Sequence, residues 1–152
     1  MNNALSQIWT SVLQPLVSRP NRLQVAALCH RQGQSGREVL LVTSRDTGRW
    51  ILPKGWPMKD KTCGEAALQE AWEEAGVKSA TISDDPIGTY SYDKRLNNGA
   101  SEPLDTLVYM ADVHDLSEDY PERHQRKRKW FTPEDAAEKV NEPQLKKILR
   151  AL

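Results

Sequence analysis

Apolar residues recur along this chain with two different periods, and each period predicts one class of element. Near the N-terminus, steps of three and four predict a helix over 3–16. Alternating or continuous apolar runs predict strands, at 24–29, 39–43, 50–52, 81–92, 106–113 and 128–131. Closing helices are predicted over 133–140 and 143–152. This mixture indicates a sheet that helices cover on both faces.

A further helix, over 63–75, is predicted together with both of its ends. Thr62 and Glu65 have the spacing of a capping box, in which each side chain bonds the backbone amide of the other residue. Gly76 supplies the left-handed residue that ends a helix. The segment 54–61 contains glycine and proline and is predicted to be a loop that leads into this helix.

The helix over 63–75 has two predicted faces. Four apolar residues recur at i, i+3, i+4 and i+7 and are expected to pack on the core: Leu68, Ala71, Trp72 and Ala75. Three carboxylates lie together on the opposite face: Glu70, Glu73 and Glu74. Like charges at this spacing repel each other, whereas a divalent cation such as Mg²⁺, which prefers hard oxygen ligands, turns the repulsion into attraction. The alternative interpretation is a solvated acidic stripe.

Composition narrows the possible functions. The 152 residues have the size of one domain and include 21 basic and 21 acidic side chains, so the net charge is +0. This balance argues against a protein built as a polycation for nucleic acid. No apolar run approaches the roughly 20 residues that span a bilayer. The N-terminus lacks the pattern of a signal peptide, so we expect a cytoplasmic protein without membrane contact.

Cysteine and histidine offer no metal site in this sequence. Cys29 and Cys63 stand alone, and the three histidines lack the spacing of metal ligands. Any metal is therefore expected to be a hard cation that carboxylates hold.

The segment from Gly55 to Val77 resembles the Nudix box, the signature G-x5-E-x7-R-E-U-x-E-E-x-G-U of the Nudix hydrolases, in which U is a bulky aliphatic residue. The positions that match in register are Gly55, Glu70, Glu73, Glu74, Gly76 and Val77. Lys61 stands where the first glutamate belongs, Gln69 where the arginine belongs, and Ala71 at an aliphatic position. In the family, the arginine helps to orient the neighbouring glutamate, and glutamine offers a hydrogen bond without charge.

The resemblance implies an α/β protein, a Nudix-type α/β/α sandwich with a mixed sheet. It would be a single domain over 19–152, with 1–18 as an N-terminal helix extension. Nudix hydrolases cleave a phosphoanhydride bond in a phosphorylated compound and bind Mg²⁺ or Mn²⁺ at the box. By position, Glu70 and Glu74 would be metal ligands, and Glu73 would join them or act as general base. Whether Glu70 or Glu73 is the base stays open.

Residues around the box are further candidates for the site. The carbonyl of Lys54 is a possible metal ligand, and Glu122 is a candidate for the additional acid that Nudix enzymes often place outside the box. Glu122 is equally well explained as an ordinary loop glutamate. Trp56, Tyr90 and Tyr92 are aromatic candidates to line the site.

Two segments outside the box resemble the branch that hydrolyses diphosphoinositol polyphosphates and diadenosine polyphosphates: Ser44-Arg45-x3-Arg49-Trp50-x2-Pro53-Lys54-Gly55 and Arg128-Lys129-Trp130-Phe131. The likeness runs from about Gln24 to the C-terminus. A polyphosphorylated small molecule is therefore the expected substrate, because arginine binds phosphate bidentately and cations lie beside the acidic helix. The candidates for substrate binding are Arg45, Arg49, Lys54, Gly55 and Lys61.

Several alternatives remain open at this point. The cationic run 123–129 is a nucleic-acid patch, an edge strand protected by charge, or a phosphate site at the mouth of the pocket, which we favour. One alternative function is removal of 5′-pyrophosphate from RNA, although the neutral net charge makes a nucleic-acid partner less expected. Another is a Nudix-fold module that binds a nucleotide without cleaving it, against which the three box glutamates argue. Both a monomer and a homodimer fit the sequence.

Overall fold

The computed structural model describes residues 20–152, so the helix predicted over 3–16 and the domain boundary predicted at residue 18 lie outside the described residues. The strands in this part of the chain are β1 (Arg22–Gly33), β2 (Gly36–Thr43), β3 (Trp50–Ile51), β4 (Lys54–Gly55), β5 (Val77–Ile82), β6 (Gly88–Arg95), β7 (Ser101–Leu116) and β8 (Arg128–Phe131). The helices are α1 (Cys63–Ala75), α2 (Pro133–Lys139) and α3 (Pro143–Arg150). Within residues 20–152, no helix is long and apolar enough to cross a membrane.

One mixed sheet joins the strands of the described residues. Its centre is the pair β1 and β7, which run parallel from the partners Arg22 and Leu104 to the partners His30 and Asp112. β2 returns along β1 as an antiparallel hairpin, and β3 and β8 both pair with β2. β4 pairs with the start of β1, while β5 and β6 pair with two successive parts of β7.

The two faces of the sheet have separate hydrophobic cores, because side chains alternate along each strand. On β1, Val25, Ala27 and Cys29 belong to the core that α1 covers. Ala26 and Leu28 belong to the core that α2 and α3 cover. All five side chains are fully buried. The predicted α/β/α sandwich with a mixed sheet is therefore confirmed.

Helix α1 begins and ends where the sequence predicts. The Thr62 hydroxyl accepts a hydrogen bond from the Glu65 amide at 3.1 Å, and the Glu65 carboxylate accepts one from the Thr62 amide at 2.8 Å. Gly76 has a φ of 71°, the left-handed conformation that ends the helix. A side chain at Gly76 would also overlap Tyr120 and Arg128, so both conformation and space require glycine here.

The buried face of α1 differs from the predicted one. Four small residues are fully buried against the sheet: Ala66, Ala67, Ala71 and Ala75. Glu74 is buried beside them, with 2% of its surface exposed, although we predicted it on the opposite face. Leu68 and Trp72 are only half-buried, so the prediction that Trp72 belongs to the core is wrong. The alanines bring the helix close to the sheet, and that close approach leaves no room for an indole ring.

Two predictions about local structure also change. The run 81–92 is not one strand, because β5 and β6 are separated by the segment 83–87, which contains Asp84-Asp85-Pro86. Proline lacks the amide that a continuous ladder needs. The predicted loop 54–61 begins with the short strand β4, which lies against β1 where the Ala27 amide bonds the Pro53 carbonyl at 3.0 Å.

We predict that Ala71→Leu lowers the free energy of unfolding by about 1–3 kcal/mol, because a leucine overpacks the interface between α1 and β1. Urea unfolding followed by circular dichroism measures this change. Ala151→Leu is the matched control, since Ala151 is exposed after α3. Equal stability of the two variants would contradict a tightly packed alanine interface.

Candidate active site

Gly55 sets the distance between β4 and α1. β4 pairs with β1 through Gly55 and Val25, and α1 packs on the same strand. A Cβ on Gly55 would overlap the carboxyl group of Glu70. The absence of a side chain at Gly55 therefore lets the Glu70 carboxylate lie against the backbone of β4.

Glu74 is a buried carboxylate with a partner on each oxygen. Its Oε2 accepts a hydrogen bond from the Lys54 amide at 3.2 Å, and its Oε1 lies 3.2 Å from Nη2 of Arg126. Burial raises the pKa of Glu74 to about 8, and the neighbouring Glu70 adds to this effect, whereas Arg126 opposes it. Burial also raises the pKa of Glu70, and the charges of Glu73 and Glu122 raise it further.

Glu73 and Glu122 complete a cluster of four carboxylates. The Glu73 Oε1 accepts a hydrogen bond from Gln69 Nε2 at 3.1 Å, so the glutamine at the position of the box arginine orients Glu73, four residues further along α1. The Glu122 amide donates to the Glu73 carbonyl at 3.0 Å, which brings the turn over 121–125 next to α1. The Glu122 carboxylate accepts from Nε of Arg126 at 3.1 Å.

Three of these carboxylates, those of Glu73, Glu74 and Glu122, accept hydrogen bonds from protein donors. Within residues 20–152, no three histidine, cysteine, aspartate or glutamate side chains are already arranged to hold a metal ion. Because each carboxylate oxygen has more than one acceptor direction, the bonds to Gln69, Lys54 and Arg126 still leave acceptor capacity.

A cleft of about 570 Å³ unites most of the predicted site residues. Those that line it are Arg45, Arg49, Lys54, Gly55, Glu70, Glu73, Glu74 and Glu122. Lys61, the remaining candidate for substrate binding, does not line this cleft, and its role stays a prediction. It is exposed beside Glu65 and Gln69, near the start of α1, and about 10 Å of helix separates that end from Glu70.

The cationic side chains of the cleft differ in their exposure and in the protein groups that they already contact. Arg45 is 59% exposed and contacts Glu122 at 3.4 Å. Arg49 is paired with the buried Glu142 at 2.6 Å, so this arginine already has an anionic partner. The Lys54 Nζ lies 5.0 Å from the centre of the Tyr92 ring, and burial lowers the pKa of Lys54 to about 8.

The cationic run 123–129 does not form one continuous patch. Arg126 lines the cleft and is bound to Glu74 and Glu122. Arg128 donates to the carbonyls of Ala75 and Ser117 at the end of α1. The predicted phosphate site at the mouth of the cleft is thus reduced to one arginine that carboxylates already bind.

Sequence reasoning missed part of the cleft. Gln24, only 5% exposed, accepts a hydrogen bond from the Tyr92 hydroxyl, and both residues line the cleft. A polar residue at the start of an apolar strand is the signal that could have found Gln24.

Trp56 also lines the cleft, with the guanidinium of Arg22 at 4.2 Å from its ring. Tyr90, the other aromatic candidate, is buried in the core.

Comparison with known proteins agrees with this geometry. Nudix hydrolase 16, mitochondrial, from Arabidopsis thaliana is 32% identical over 121 residues, which cover 76% of this chain and 66% of that protein. Diphosphoinositol polyphosphate phosphohydrolase 2 from Homo sapiens is 33% identical over 115 residues, or 74% of this chain and 59% of that protein. The chain therefore spans between about half and two thirds of the length of the curated relatives it matches.

A solved structure supports the fold. The crystal structure of a C. elegans Ap4A hydrolase binary complex matches with a TM-score of 0.62 at 23% identity, covering 85% of this chain and 93% of that chain. The family model described as NUDIX domain matches residues 20–152, which contain the sheet, α1 and the cleft. The predicted resemblance is confirmed, and the chain belongs to the Nudix family.

Proposed function

We propose that this chain is a Mg²⁺-dependent hydrolase that cleaves a phosphoanhydride bond in a highly phosphorylated small molecule. One observation carries the proposal: the three glutamates on α1, Glu70, Glu73 and Glu74, share a cleft with Arg45 and Lys54. Carboxylates suit a hard divalent cation, and arginine and lysine suit phosphate. The family membership and the names of the relatives point in the same direction.

The residues present fit a divalent cation. Burial and mutual repulsion raise the pKa values of Glu70 and Glu74, so full ionisation of the cluster needs positive compensation beyond what its protein partners provide. A cation would supply that compensation. The proposed ligands are Glu70, Glu73, Glu74, Glu122 and the carbonyl of Lys54. Mg²⁺, or Mn²⁺ in its place, would lower the pKa of a bound water and offset charge on the phosphates.

The other side chains would bind the substrate and move the proton. Glu73 and Glu70 are the two candidates for general base. Glu73 has the hydrogen bond that fixes its orientation, from Gln69, and Glu70 lies against Gly55. Arg45 is exposed enough to reach a phosphate, and it shares Glu122 with Arg126. Arg49 would bind substrate while it stays paired with Glu142.

The proposed substrate is a diadenosine polyphosphate or a diphosphoinositol polyphosphate. The cleft is large enough for a small molecule and has cationic and aromatic walls, including Lys94 and Trp56. A diphosphoinositol polyphosphate and Ap4A are the compounds in the names of two of the similar proteins. Both compounds present the closely spaced phosphates that cations favour.

We predict that the wild-type chain releases phosphate or nucleotide products from at least one of these compounds with Mg²⁺, and that Glu70→Gln lowers the rate by at least about 100-fold, as expected for loss of a catalytic group. Phosphorus NMR measures the products and identifies the bond cut. Glu138→Gln is the matched control, because Glu138 is exposed on α2 away from the cleft. EDTA should abolish turnover.

Absence of turnover with either compound, in Mg²⁺ and in Mn²⁺, would contradict the proposal for these substrates. Nucleotide binding without turnover would then favour the binding module, since Gln69 replaces the charged residue of the box. Gln69→Arg would be the variant to test for restored activity.

We also predict that Gly55→Ala reduces turnover strongly while it changes the free energy of unfolding little. The added methyl group would displace the Glu70 carboxylate, which is the far end of a flexible side chain. Gly64→Ala is the matched control, because its methyl group would make only ordinary contacts, at 3.5 Å or more. Comparable activity of the two variants would show that Glu70 does not need its place beside β4.

A further inference from the structure

Arg126 is a buried arginine that binds two of the proposed metal ligands at once. Its side chain is 9% exposed, compared with 59% for Arg45. Its Nε donates to Glu122 at 3.1 Å, and its Nη2 lies 3.2 Å from Glu74. Its Nη1 donates to the Thr43 carbonyl at 3.1 Å. Every nitrogen of the guanidinium therefore has a partner in the protein.

The backbone around Arg126 is held in place from two sides. The Lys127 amide donates to the Thr43 hydroxyl at 2.9 Å, and the Thr43 amide donates to the Lys127 carbonyl at 3.0 Å. On the other side, the Glu122 amide donates to the Glu73 carbonyl of α1 at 3.0 Å. The guanidinium is thus fixed relative to both α1 and the end of β2.

This arrangement orients the carboxylates and still leaves their oxygens able to bind a cation. Arg126 takes one direction at Glu74 Oε1, and the Lys54 amide takes one at Oε2. Each oxygen keeps a second acceptor direction, which a cation can use. The planar guanidinium fixes the direction of an oxygen more strictly than the point charge of a lysine does.

The box helix itself lacks this charge. At the position of the box arginine, Gln69 offers only a neutral amide, which bonds Glu73 at 3.1 Å. We propose that Arg126 is a positioning residue, which holds Glu74 and Glu122 for the metal and supplies from outside the box the fixed positive charge that is absent at position 69. This inference rests on the proposed function, since it assigns Arg126 to that same metal site.

The test is a titration of the full chain with Mn²⁺, followed by electron paramagnetic resonance of the free ion. We expect Arg126→Lys and Arg126→Gln to bind Mn²⁺ about 10- to 100-fold more weakly than the wild type, as for other residues that orient metal ligands. Arg31→Gln is the control, because it also breaks an arginine–glutamate pair, at 2.8 Å, outside the cleft. Circular dichroism verifies that each variant is folded. If Arg126→Gln does not fold, the Mn²⁺ affinity of Arg126→Lys decides the test.

Two results would overturn the inference. Unchanged Mn²⁺ affinity in the folded variants would show that Arg126 does not position the ligands. Tighter binding would show that Arg126 acts on the cation only through charge repulsion.

A double-mutant cycle tests whether the charge of Arg126 replaces the charge that is absent at position 69. Gln69→Arg should restore part of the Mn²⁺ affinity in the Arg126→Gln background and change it little in the wild type. An equal change in both backgrounds would contradict the link between the two positions.

The failure of this inference is distinguishable from the failure of the proposed function. If the wild type turns over substrate and the Arg126 variants bind Mn²⁺ with unchanged affinity, the inference is overturned and the proposed function is not. Weaker Mn²⁺ binding in those variants, without turnover in the wild type, would support the inference and contradict the hydrolase. No Mn²⁺ binding by the wild type would contradict both.

Discussion

A carboxylate that a fold withdraws from water needs a protein partner for its oxygens, because an unpaired buried charge is strongly unfavourable. Glu74 finds its partners in two segments far from it in sequence, the Lys54 amide of β4 and the guanidinium of Arg126. One buried side chain thus joins α1, β4 and the segment after the 121–125 turn. The remaining carboxylates and the cations of the cleft are arranged around this junction.

The small side chains of α1 make the junction possible. Fully buried alanines, such as Ala67 and Ala71, bring the helix close to β1, and Glu74 is carried into the interface with them. Gly55 makes the corresponding space on β4, where the carboxyl group of Glu70 lies. The close approach of α1 to the sheet therefore serves both packing and chemistry. A larger residue at Ala71 would disturb the packing, whereas a larger residue at Gly55 would displace the Glu70 carboxyl group.

The sequence predicted the features that local chemistry determines. The ends of α1 follow from Thr62, Glu65 and Gly76, because capping depends on neighbouring residues only. Contacts between distant segments were not predictable in this way. The helical period placed Glu74 on a solvated face, but the width of the alanine face buries it. Lys61 belongs to the box in sequence and yet does not line the cleft. The buried pairing of Arg126 depends on how the 121–125 turn packs on α1.

The central claim is that the carboxylates around Glu74 form a site for a divalent cation. The most direct test is a crystal of the full chain soaked in Mn²⁺, with an anomalous difference map calculated at the manganese edge. We expect a peak in the cleft between the carboxylates of Glu70 and Glu74, with Arg126 still bound to Glu122. The account would be contradicted if a fully soaked crystal showed no peak in the cleft, or a peak only at carboxylates elsewhere on the surface.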